Sequence, residues 1–120
     1  LKRFQVQEKA RQVAQIETMI GEFIRMGTDL DSQIAYEEKK SGIDDVNHFA
    51  YSTFAKAARQ RRENLEVSVD DLKQQLDAAK EGLEAVEEEL AKAEMLEERD
   101  GKGREAPAEP VVDHRHAMIG

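Results

Sequence analysis

Cysteine and tryptophan are absent from this 120-residue chain, and its two prolines, Pro107 and Pro110, both fall in the last 14 residues. Without cysteine there is no disulfide framework and no thiolate for catalysis or metal binding. Without proline before residue 107, no residue in that stretch forces a helix to break. Aromatic residues make up 5% of the chain, too few for the large apolar core of a compact globule. No apolar run approaches the roughly 20 residues that a membrane-spanning helix requires. No secretory leader is visible, and the first residue is Leu1 rather than methionine, which leaves room for a preceding segment.

What is present is charge. Charged residues amount to 37% of the chain, with a formal net charge of −8. That balance argues against non-specific nucleic-acid binding, which needs a basic face. A chain rich in Ala, Glu, Lys, Leu and Arg with few breakers reads as long helix or coiled coil.

The first 40 residues carry a helical stripe of Val6, Val13, Ile16, Ile20, Phe23, Leu30 and Ile34, with Gly27 occupying the skipped position. Met19, Ile24 and Met26 flank that stripe and make it wider than a two-position seam. Lys39 and Lys40 followed by Ser41 and Gly42 read as a helix stop, because cations suit the last turn and glycine suits a left-handed cap. Asp44, Asp45 and Asn47 are good N-cap residues, so a second helix is expected to start nearby; Ser52 or Thr53 offers a second start. A short helix over 45–50 followed by a break would satisfy both signals.

The second stripe is Leu65, Val69, Leu72, Leu76, Ala79, Leu83, Val86, Leu90 and Ala93, with spacings alternating between four and three. Four uninterrupted heptads are a specific coiled-coil signal. Extended backwards, the register passes through Arg62, Ala58, Ala55, Tyr51 and His48. The seam is therefore thin at the two alanines and polar at Arg62, which marks either a weak point or a close approach of helices. After Asp100 the pattern stops at Gly101, Gly103, Pro107 and Pro110. The expected fold class is all-α: an antiparallel two-helix coiled-coil hairpin over residues 1–99, with helix 1 about 1–40, a linker about 41–47, helix 2 about 48–98, and a flexible tail over 100–120.

Charge supports the fold-back. Lys2, Arg3, Lys9 and Arg11 make the start basic, while residues 81–98 carry eight glutamates and one lysine. A turn centred near residue 44 would set residue 1 beside residue 87 and leave about 88–98 unpaired. Exposed ion pairs contribute only about 0–1 kcal/mol each, so the pattern selects orientation more than it adds stability.

Nothing in the sequence calls for catalysis. There is no phosphate-binding glycine loop and no nucleophile-and-base arrangement. His114 and His116 near Asp113 resemble a metal pair but supply too few ordered ligands, so no metal or cofactor is expected. Four of the six aromatics lie between 36 and 54. Tyr36, Phe49, Tyr51 and Phe54 either fill the corner of the hairpin or form a partner-binding tip. Arg59, Arg61 and Arg62, with Lys56, form a local basic patch beside them. Glu87, Glu88 and Leu90 mark the acidic end of helix 2 as a second protein-binding candidate.

The runs LKRFQVQEKARQVAQIETMI at the start, SGIDDVNHFAYSTFAKAARQRR over 41–62 and EELAKAEMLEERD over 88–100 resemble the alphaproteobacterial form of the flagellar export protein family FliJ. The resemblance implies a non-enzymatic, cytoplasmic, stalk-like coil of the flagellar type III export apparatus, peripheral at the inner face of the cell membrane through its partners. Those partners would be the export ATPase ring, the export gate membrane protein and substrate chaperones, with residues 1–15 and 85–98 facing the ring. Two other readings remain open. One is a coiled-coil finger acting in the secondary channel of RNA polymerase, with Asp44 and Asp45 at its tip. The other is a generic structural coiled coil. The wide stripe of helix 1 also leaves room for a homo-oligomer.

Overall fold

A computed structural model describes residues 1–105. It contains two helices, α1 (Lys2–Ser41) and α2 (Thr53–Glu105), with no strand among the described residues. The fold is all-α, an antiparallel helical hairpin. Among the described residues, no helix is long and apolar enough to cross a membrane.

The C-terminal stop of α1 forms as its residues require. Lys39 and Lys40 occupy the last turn, where cations oppose the partial negative charge of the unpaired carbonyls. Gly42 adopts φ 75° and donates its N–H to the Glu38 carbonyl at 2.9 Å, a left-handed cap that a side chain would strain.

The second helix begins later than about residue 48, and no short helix forms over 45–50. Residues between Gly42 and Thr53 make turns instead. Asp45 accepts the Asn47 N–H on Oδ1 at 2.9 Å, and its carbonyl accepts the His48 N–H at 3.0 Å. Short polar side chains of this kind compete with the helix for local backbone donors. The working N-cap is Ser52, whose Oγ accepts the Ala55 N–H at 3.1 Å. At its other end α2 runs on to Glu105 rather than stopping near 98. Residues 100–105 of the expected tail are thus helical, and 106–120, including His114 and His116, lie outside the described residues.

The helices divide into two compact units. One comprises residues 16–76. Its core is Leu30, Ile34 and Ala58, with Leu65 packed against them. Ala55 has no accessible surface and Ala58 only 3%, so the thin stretch of the seam is a close approach of helices and not a weak point. Arg62, the polar seam position, stays half-buried and bonds Asp31 through Nε at 2.9 Å, with Glu66 at 3.5 Å from Nη1. Its guanidinium lies over Gly27. Met19, Ile24 and Met26 remain exposed, so the stripe of α1 is wider than α2 covers.

The other unit comprises, among the described residues, 1–15 and 77–105. Val6, Val13, Ala79, Leu83, Val86, Leu90 and Ala93 are all half-buried here. Lys2 pairs with Glu89 at 3.1 Å and Arg3 with Glu94 at 2.7 Å, while Arg11 pairs with Glu8 on its own helix. The basic start does lie along the acidic end. The register differs from the expected one, because Leu1 shares a shallow hollow with Leu90, Ala93, Glu94 and Glu97 rather than facing residue 87. The later start of α2 accounts for the shift. Much of the stretch expected to be unpaired therefore faces the first three residues.

Two substitutions separate packing from propensity. An alanine methyl at Gly27 would meet the Arg62 guanidinium at 3.5 Å, ordinary contact. Gly27→Ala should therefore raise stability by up to about 1 kcal/mol through helix propensity. Leu30→Ala, which opens a cavity beside Ile34 and Ala58, should cost about 2–4 kcal/mol. Urea unfolding followed by circular dichroism measures both.

Candidate docking surface

The aromatic cluster divides into one side chain that builds the loop and three that face solvent. Tyr51 is the builder. It precedes Ala55 by four residues, in the same stripe, and is only 8% exposed. Its hydroxyl donates to Glu38 Oε2 at 2.6 Å and accepts from Arg59 Nε at 2.8 Å. Arg59 Nη2 also donates to Glu38 Oε2 at 2.7 Å, and its guanidinium carbon lies 6.0 Å from the Tyr51 ring centre. One carboxylate oxygen, one hydroxyl and one guanidinium thus close a three-membered network joining α1, the loop and α2.

The network fixes charge states. The Arg59 hydrogen bond, and then that of Tyr51, hold the Glu38 carboxyl below the usual glutamate range. Burial, followed by the hydrogen bond to Glu38, pushes the Tyr51 hydroxyl up. Arg59 is shifted upward by its bonds to Glu38 and then Tyr51, and Arg62 upward by Asp31. Hydrogen bonds to the charged form favour that form.

These bonds also dissect the basic patch. Arg59 and Arg62 are engaged with acids of their own chain, whereas Arg61 and Lys56 are exposed. The patch is therefore not four cations presented together.

The outward aromatics are Phe49, Phe54 and Tyr36. Phe49 is 96% exposed. Its ring stacks on that of His48 with centres 4.7 Å apart and planes inclined at 21°. His48 in turn accepts the Ala50 N–H on Nδ1 at 2.9 Å, and its carbonyl accepts the Tyr51 N–H at 3.0 Å. Phe54, in the first turn of α2, and Tyr36, with the Lys40 ammonium 5.9 Å from its ring centre, are also exposed. Exposed aromatics grouped at one end of a hairpin are suited to docking, since Tyr and Phe side chains make good interface anchors.

In the unit containing the chain start, Glu87 and Glu88 are exposed, and Leu90 is a half-buried seam residue lining the hollow with Leu1. Phe4, Met95 and Leu96 are exposed there as well. Sequence reasoning missed these three and also Glu38. The signal for Phe4, Met95 and Leu96 was their position off the seam register. Glu38 gave no signal, since it is one of many glutamates on a helix.

The Tyr51 network carries two expectations. Tyr51→Phe removes both hydroxyl hydrogen bonds while Glu38 and Arg59 keep each other, and should lower stability by about 1–3 kcal/mol. Glu38 has a lowered folded pKa, so its contribution is complete above the ordinary glutamate value of about 4.3. It is lost as the pH falls below that value through the folded one. Glu38→Gln should therefore be less stable than the native chain at neutral pH, with the gap closing in acid. Urea midpoints measured against pH test both.

Comparison with protein-family models, with curated proteins and with solved structures finds no match to this chain.

Proposed function

We propose that this chain is a non-enzymatic scaffold of the bacterial flagellar type III export apparatus. It acts as a stalk-like hairpin that binds the export ATPase ring and the export gate and helps couple the ATPase to delivery of substrates or chaperones. In this reading it is cytoplasmic and reaches the inner face of the membrane only through its partners.

The observation that carries the reading is Phe49, solvated yet stacked on His48 in a hydrogen-bonded loop. Scaffolds need rigid anchors more than they need enclosed pockets. The FliJ resemblance supplies the system in which such an anchor would work. The stretch that carries it most distinctively, residues 41–62, spans the loop, Tyr51 and Arg59 of its network, and the Arg62 seam position. The acidic end of α2 with its basic partners Lys2 and Arg3 is the region assigned to the ATPase ring, and the aromatic loop is assigned to the gate or a chaperone. Asp45 turns its carboxylate back onto the Asn47 N–H, which weighs against a polymerase finger that would offer that acid to a metal.

The test is enzymological. At low concentrations of the cognate export ATPase, where ring assembly limits turnover, adding this protein should raise the ATPase rate and the oligomer size. An unchanged rate and size would reject the stalk reading. Phe49→Ala should leave that stimulation intact while weakening binding to the export gate's cytoplasmic domain more than tenfold, the size expected of an aromatic hot spot.

A further inference from the structure

The loop contains one side chain whose hydrogen-bonding role depends on its protonation state. His48 accepts the Ala50 N–H through Nδ1. A neutral imidazole has one acceptor nitrogen, whereas an imidazolium has two N–H groups and no acceptor. Histidine changes charge between about pH 5 and 8. His48 is also the surface on which Phe49 stacks.

We propose that the loop is a proton-sensitive presenter, in which neutral His48 holds Phe49 in its docking position and protonation of the imidazole releases it. A proton on Nδ1 would face the Ala50 N–H donor against donor. The Ala50 bond is then lost, and with it the contact that fixes the imidazole on which Phe49 stacks. Tyr51 stays where it is, because Glu38 and Arg59 bind its hydroxyl. The response is thus confined to residues 48–50. The charged residues nearest to it along the chain are Asp44 and Asp45 in the loop, Glu38, Lys39 and Lys40 at the end of α1, and Lys56 and Arg59 at the start of α2. Of these, Asp45 is bonded to Asn47, and Glu38 and Arg59 to each other.

The same loop suggests the control. At Asp45 a side-chain oxygen accepts the N–H two residues on, the geometry His48 uses with Nδ1. His48→Asn places an amide oxygen in that role, and this oxygen does not titrate.

An NMR titration of the whole chain between about pH 8 and pH 5 tests the proposal without any partner. The Ala50 amide should lose about fivefold in exchange protection, the equivalent of one neutral hydrogen bond. The Phe49 ring signals should move along the His48 titration curve, while Tyr51 keeps its shifts. His48→Asn should show neither change. Native Phe49 and Ala50 signals that ignore His48 titration would overturn the proposal, as would the same changes in His48→Asn.

Its functional consequence rests on the docking role assigned to the loop. Binding to the export gate's cytoplasmic domain, read with native protein and His48→Asn at both pH limits, should weaken in acid only for the native chain. If the NMR response is present but gate binding is the same at both limits, the docking role fails and the loop response stands.

Discussion

The close approach of α1 and α2 at Ala55 and Ala58 is the constraint on which the unit of residues 16–76 depends. Two helices without a third layer can bury only a narrow stripe, so each buried atom matters more than in a globule. Small residues let the facing backbones come near, and Leu30 and Ile34 then lose nearly all contact with water. The stripe does not stop where α2 starts. Tyr51 continues it into the loop and is buried there, so the packing that joins the helices also anchors the connection between them.

Polar chemistry follows from that anchoring. A buried phenol needs partners for its hydroxyl, and Glu38 and Arg59 are the side chains that reach it. Engaging Arg59 there, and Arg62 with Asp31, removes two cations from the surface patch. Of the prominent cluster of aromatic and basic residues, Phe49, Phe54, Tyr36, Arg61 and Lys56 remain outward. The proposed docking surface is what remains after the fold has taken what it needs.

Much of this was legible in the residues. Every seam position from Val6 to Ile34 and from Tyr51 to Ala93 is buried or half-buried, because heptad spacing translates directly into a helix face. Gly42 capped α1 as expected, since a left-handed residue after a lysine pair has few other uses. The loop was harder. Asp44, Asp45 and Asn47 are equally good at starting helices and at making turns, and only the burial of Tyr51 decides between them. The partners of its buried hydroxyl are Glu38 and Arg59, 13 residues before and 8 after, beyond the reach of local pattern. The later start of α2 then shifted the pairing of Leu1. Among the site residues, the sequence could mark the aromatics but not divide them into an anchor and exposed contacts.

Phe49 can serve as an anchor only if the loop is a fixed structure that holds it outward. Backbone 15N relaxation over residues 43–52 measures this most directly. Order parameters near the helical value of about 0.85 across the loop are expected. Values below about 0.6 at Asn47, His48 and Ala50 would contradict it, because an aromatic on a loop that moves so freely is not a preorganised anchor.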